Sequence, residues 1–360
     1  MIDKATFELE WIQRLSGELG KRGDPKILEK VIHAFTLLEQ LRMAGLDLIF
    51  KGGTSLLLLS SFPRRFSIDI DIITSIDAKE LPAYLDKVVA IGRFSKWVYD
   101  NERKHAANAP VGHYKFYYTS KVGSAYGEEP ILLDVLFTDN PYPKVLEMPI
   151  SHAWLQIQDK IPTVSVPAIE SILGDKLTAF APSTIGVLYE KNRPVEIIKQ
   201  LYDISFLFDL AKEFDQVKAS YIRNAEQEIR YRGLSLHWRD TLRDTFEACL
   251  TITTRDINDQ SFVHLQKGIS NIVNFILERF HLDEAIICAA KTAYLTRLLY
   301  LDDISVQRYS DPSPIALLKI ENPRYSKLNK LKKSIPEAFF YWYQAVTVPV
   351  NSENTLKGIF

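Results

Sequence analysis

The chain has 360 residues, of which 46% are hydrophobic, 11% aromatic and 25% charged, a composition that excludes disordered and collagen-like proteins. At this length about two domains are expected, each large enough to bury a core without a disulfide or a structural metal. Lys and Arg total 44 against 45 Asp and Glu, a net charge of −1, which excludes a histone-like coat for nucleic acid but leaves room for a local basic patch.

The two cysteines, Cys249 and Cys288, fall singly in predicted helices, so neither a disulfide framework nor a zinc ribbon is expected. The N-terminal residues carry no basic stretch followed by an apolar one, and no run approaches the ~18–20 apolar residues of a membrane span. A cytoplasmic protein without membrane contact is the expectation.

In chain order, the first clear element is a helix from Asp24-Pro25 to Gly45, with Asp24 as cap and Pro25 at its first position. Ile27, Leu28, Val31, Ile32, Phe35, Leu38 and Leu41 recur along it at helical spacing. Leu46–Phe50 reads as a short buried strand, followed by Gly52-Gly53 and a helical turn over Leu56–Leu59. Phe66–Ile72 alternates apolar and polar residues and predicts a half-buried strand. A helix over Ala78–Ile91 and three strands follow, around Lys96–Tyr99, His113–Tyr118 and Ile131–Phe137. Pro162 and Pro167 read as bracketing a connector, which predicts a mixed α/β domain over 1–165 and a helical domain over 166–360. Helices are expected at Ala168–Ala181, Pro194–Leu210 and onward to about Leu301, with a linker at Ser310–Pro314.

The chemistry concentrates in Lys51-Gly52-Gly53-Thr54-Ser55-Leu56 and Arg65-Phe66-Ser67-Ile68-Asp69-Ile70-Asp71. Residues two apart on a strand share a face, so Asp69 and Asp71 set two like charges side by side. A fold accepts that repulsion when a cation compensates it, and few carboxylates with room for water and phosphate suit Mg²⁺. Gly52-Gly53, between a strand and a helix, lets backbone amides approach a phosphate, and Thr54 and Ser55 add hydroxyls. Either element alone is commonplace, a solvated strand face or a turn. In this order and spacing they point to nucleotidyl transfer. Asp134 is an acid inside the apolar run Leu132–Leu136, either a third metal ligand or general base, or an edge acid that faces water or an arginine. Arg65 and Ser67 flank the aspartates and are candidate nucleotide contacts, as is Lys51. The lone histidines show no metal-ligand spacing.

These motifs resemble the AbiEii/AbiGii toxin family of nucleotidyltransferases, a branch of the DNA polymerase β-type superfamily. The similarity begins at LEKVIHAFTLLEQL leading into FKGGTSL and extends to Asp175-Lys176-Leu177 and Tyr202-Asp203-Ile204, about residues 1–210. It implies an α+β fold, a mixed sheet flanked by helices and followed by a mostly helical C-terminal region. It assigns roles to Ser55, Asp69 and Asp71, to Lys176 as a nucleotide contact, and to Asp203 as a supporting aspartate. Many members carry an acid three residues before that last aspartate, where this chain has Gln200.

The implied activity is Mg²⁺-dependent (Mn²⁺ as an alternative) transfer of an NMP group from an NTP to an acceptor hydroxyl. The acceptor would be RNA, a tRNA 3′ end first, for the toxin of a type IV toxin–antitoxin or abortive-infection system with a cognate antitoxin. A small-molecule or protein nucleotidyltransferase and a nucleotide-binding regulator without turnover are the alternatives. The basic stretch Arg324–Lys333 and the aromatics Tyr341, Trp342 and Tyr343 are candidate RNA contacts, against the plainer readings of a solvated helix face and a core cluster.

Overall fold

The computed structural model describes residues 1–60, 64–100, 108–124, 127–302 and 305–347. The chain divides into two compact units, one formed by Met1–Ala168 with Asn274–Glu278, the other by Ile169–Val273 with Arg279–Phe360.

The first unit contains helices α1 (Leu9–Leu19), α2 (Pro25–Met43), α3 (Gly52–Leu59) and α4 (Leu81–Ala90). Its strands are β1 (Ile49–Lys51), β2 (Ile70–Thr74), β3 (Lys96–Tyr99), β4 (Val111–Thr119), β5 (Glu128–Phe137), β6 (Val145–Pro149) and β7 (Thr163–Pro167). They form one seven-stranded sheet in the order β3-β4-β5-β2-β1-β7-β6. The sheet is mixed: β2 runs parallel to β5 and β1 parallel to β7, while the other neighbours are antiparallel.

Helix α2 starts where capping chemistry predicts, with the Asp24 carboxylate accepting from the Lys26 amide at 2.8 Å and Pro25 at the first position. Most of its length is buried, including Val31, Ile32, Phe35 and Leu38. It contacts β2 and β5. On β4, Tyr114, Phe116 and Tyr118 are buried, and so are Ile131, Leu133 and Val135 on β5 and Ile70 and Ile72 on β2. The alternate residues Lys51, Asp71, Lys115 and Asp134 are half-buried and stand on the opposite face. Period-two alternation thus gives the sheet a core face and a polar face.

Three expected elements differ. Phe66–Ile72 is not one strand, since β2 begins only at Ile70. The residues before it are held by other partners: the Phe66 amide donates to the Phe275 carbonyl at 2.7 Å, Arg65 bridges Ile276, and Arg65 Nη1 donates to the Phe66 carbonyl at 3.0 Å. With those backbone groups engaged elsewhere, a ladder cannot form there. The connector between Pro162 and Pro167 is instead strand β7, paired to β6 over five residues and to β1 at Ile49. Helix α3 also starts earlier than expected, at Gly52 itself.

The second unit is helical: α5 (Ile169–Ala179), α6 (Pro194–Leu210), α7 (Phe214–Tyr231), α8 (Trp238–Thr254), α9 (Gln260–Asn271), α10 (Leu282–Leu301), α11 (Leu331–Ser334) and α12 (Pro336–Thr347). Helix α10 is its centre, packed against α6, α8 and α12, with Ala285, Ala289, Ala290 and Ala293 allowing close approach. Gly174 permits the tight crossing of α5 and α7, where a Cβ would press on the Val217 carbonyl at 2.6 Å. Among the described residues no helix is long and apolar enough to cross a membrane.

The aromatic cluster of α12 is core, not a stacking platform. Tyr341 and Trp342 are buried, and the Trp342 indole donates to Thr253 Oγ1 at 3.1 Å. The basic stretch stays outside: Tyr325, Leu328 and Leu331 turn inward, while Arg324, Lys327, Lys330 and Lys333 are exposed and Lys332 is partly covered.

Candidate active site

The polar face of the first unit carries a row of residues fixed by sheet register. Lys51 of β1 pairs with Asp71 of β2, Asp71 with Asp134 of β5, and Asp134 with His113 of β4. Register partners lie on one face, so the row is lysine, carboxylate, carboxylate, imidazole, at the ~4.8 Å spacing of neighbouring strands. Beyond His113 the Asp100 amide donates to the His113 carbonyl at 2.8 Å, and the Asp100 carboxylate pairs with Lys115 at 2.8 Å. Adjacent like charges repel, and here Lys51 and His113 stand on either side of the two aspartates. Lys51 Nζ also lies over the Tyr142 ring, 5.9 Å from its centroid.

Against this row sits the start of α3. Gly52 has φ +80°, a conformation that L side chains rarely adopt, and a Cβ there would collide with the Asp71 carboxylate. Gly53 is covered by the Arg65 guanidinium and by Ser67, whose Oγ would lie 2.8 Å from a Cβ at that position. Both glycines are therefore needed because the site residues lie directly on their backbone. Thr54 and Ser55 are fully buried and tie the turn together. Thr54 Oγ1 donates to the Asp69 carbonyl at 2.7 Å, and Ser55 Oγ to the Gly52 carbonyl at 2.8 Å. Lys51, the residue ahead of α3, places no side-chain hydrogen bond on the helix start, and the helix presents its positive end beside two carboxylates.

Asp69 stands one residue ahead of β2 and Asp71 on it. Among the described residues no group of three or more His, Cys, Asp or Glu forms a metal cage by itself. Asp71 and Asp134 provide an adjacent carboxylate pair, a donor set that suits Mg²⁺, which completes its octahedron with water and phosphate oxygens.

The second unit brings together the other expected pair. Lys176 lies in the last turn of α5 and Asp203 lies on α6. Lys176 Nζ is 3.0 Å from Asp203 Oδ2 and donates to Gln200 Oε1 at 3.2 Å, and both charged residues are buried. Gln200, the departure from the resembled motif, thus serves as a neutral second acceptor for Lys176.

His113 is the residue that motif reading missed. Its signal was available: a hairpin that closes Thr119 on Glu128 brings His113 opposite Asp134. Alternation along His113-Tyr114-Lys115-Phe116 then places it on the polar face.

A mixed sheet presenting neighbouring carboxylates beside a glycine-opened helix is the core of a nucleotidyltransferase. The model of the nucleotidyl transferase AbiEii toxin family of type IV toxin–antitoxin systems matches residues 37–268, and the chain belongs to that family. It is therefore an enzyme of the nucleotidyltransferase class, and membership implies an NTP substrate and an antitoxin partner. No curated protein sequence matches the chain. Among solved structures, MenT4, a nucleotidyltransferase toxin of Mycobacterium tuberculosis, is similar with a TM-score of 0.52 at 14% identity, over 92% of this chain and 98% of that one. A nucleotidyltransferase-type protein of Helicobacter pylori gives 0.40 at 16% identity, over 78% of this chain and 97% of that one. The Helicobacter pylori protein JHP933 gives 0.38 at 16% identity, over 76% and 90%.

Proposed function

We propose that the chain transfers an NMP group from an NTP to a hydroxyl of an RNA acceptor, a tRNA 3′ end foremost, in a Mg²⁺-dependent reaction. One observation carries this reading: Asp71 and Asp134 are register partners beside the glycine-opened start of α3. Asp69, Asp71 and Asp134 would hold the metal. Bound there, Mg²⁺ would neutralise phosphate charge and lower the pKa of the acceptor hydroxyl.

The chain's own groups do the rest. The first-turn amides of α3, with Gly53, Thr54 and Ser55, cradle the triphosphate. Lys51 and Arg65 balance phosphate charge, and Ser67 supports the turn against Gly53. Lys176 serves the nucleotide and Asp203 orients it, as the family resemblance implies. The exposed cations Arg324, Lys327, Lys330 and Lys333 support RNA as the acceptor, through its phosphate backbone. The test is incubation of the chain with each α-labelled NTP and total cellular RNA, resolved on a denaturing gel. A discrete labelled RNA band is expected, and the absence of label from RNA with every NTP contradicts the acceptor class.

A further inference from the structure

His113 Nδ1 lies 2.7 Å from Asp134 Oδ1, and the imidazole is buried. An ionised carboxylate can only accept, so Nδ1 carries the proton and donates it. The stretch of β4 that carries this imidazole is itself fixed. The His113 carbonyl accepts from the Asp100 amide at 2.8 Å, and the Tyr114 ring lies over the preceding Gly112, 2.8 Å from where a Cβ would stand. A carboxylate gripped at one oxygen by a fixed donor cannot rotate freely, so the direction of its second oxygen is set.

We propose that His113 is a positioning residue, whose donation to Oδ1 holds the Asp134 carboxylate in the orientation in which it binds a divalent cation beside Asp71. The inference rests on the reading of Asp134 as a metal-holding residue. A plain strut between β4 and β5 is the competing role. Those strands are already joined through nine register pairs, from Val111↔Leu136 to Thr119↔Glu128, so one more side-chain bond adds little to their pairing. Metal-binding carboxylates, in contrast, depend on outer partners of this kind, whose loss typically costs about 10–100-fold in metal affinity or activity.

The test is Mn²⁺ binding by the full chain, read by paramagnetic resonance with Mn²⁺ alone and with a non-hydrolysable nucleoside triphosphate. His113→Leu removes the donor and is expected to weaken Mn²⁺ binding about 10–100-fold. His113→Asn sets an amide N–H close to where Nδ1 stands and is expected to recover most of the affinity. Calorimetry on the same samples confirms that each variant is folded; should His113→Leu not fold, His113→Ala replaces it in the comparison. Parental Mn²⁺ affinity in the donorless variant, or equal loss in the donorless and Asn variants, refutes the positioning role. Asp134→Asn separates the two levels. If it binds Mn²⁺ like the parent, the assignment of Asp134 is wrong. If it loses Mn²⁺ while His113→Leu does not, only the role of His113 is wrong.

Discussion

Gly52 and Asp71 constrain each other, since the carboxylate occupies the space a side chain at residue 52 would need. Gly52→Ala is therefore expected to cost about 1–2 kcal/mol for the left-handed backbone alone. It should also push Asp71 off the row, so that Tm and nucleotidyl transfer fall together. Transfer at the parental rate in a folded Gly52→Ala chain would show that the close approach is irrelevant to the site. This part of the site was legible in the sequence, because glycines before a helix and acids at alternate positions announce themselves locally. His113 was legible only through the register of the β4–β5 hairpin, because its partner Asp134 stands on another strand. The strand position of Asp69 was misread for a similar reason: Thr54 and Phe275 take up backbone groups around it, and neither is near in sequence.

At the scale of elements, α2 is pressed onto the sheet with a histidine in the contact. His33 stacks on Tyr118 with ring centroids 3.6 Å apart, and burial pulls its pKa from 6.5 down to about 3. Burial likewise takes His152 from 6.5 down to about 4. Both are neutral in the folded chain, whereas the unfolded chain takes up their protons below about pH 6.5. Stability is thus fully present above that pH and is lost as the pH falls through the window from about 6.5 toward the folded values, at up to about 1.4 kcal/mol per pH unit for each histidine. Urea midpoints at pH 7, 6 and 5 should fall in that order, and His33→Leu should flatten the decline even though it lowers stability at pH 7. A decline of unchanged slope in His33→Leu would place the acid sensitivity elsewhere. The pairing of α5 with α6 makes a second case. Asp203→Asn leaves the buried Lys176 charge poorly compensated and is expected to cost about 3–5 kcal/mol. The double change Lys176→Met with Asp203→Leu should recover much of that stability. If Lys176 touches the nucleotide, the double variant stays inactive although stable; recovery of transfer would reduce the pair to a strut. Helix α2 could be read from its periodicity and its cap. Strand β7 could not, since its flanking prolines mimic a loop. Proline is tolerated at strand ends, where no ladder amide is lost, and Pro167 closes β7 in that position.

For the whole molecule, an RNA acceptor would meet a chain whose net charge is −1. Burial of Tyr341 and Trp342 removes two of the three stacking aromatics that the sequence suggested, which leaves the outward cations of the Arg324–Lys333 stretch to bind phosphate. Changing Lys330, Lys332 and Lys333 to Glu should then weaken RNA modification steeply, most of all at low salt, while binding of free NTP is spared. RNA modification at the parental rate at every salt concentration would remove this stretch from the acceptor site. The central claim is that phosphorus bond chemistry occurs at the Asp71–Asp134 pair and moves a nucleotidyl group. The most direct measurement compares label transfer to RNA from α-labelled and γ-labelled NTP, by the parental chain and by Asp71→Asn. Label from the α position alone is expected, falling at least ~100-fold in Asp71→Asn, the upper end of what a lost outer partner costs, with Tm unchanged or raised as a like-charge contact is relieved. Transfer of the γ label, or α-label transfer undiminished in Asp71→Asn, would contradict the account.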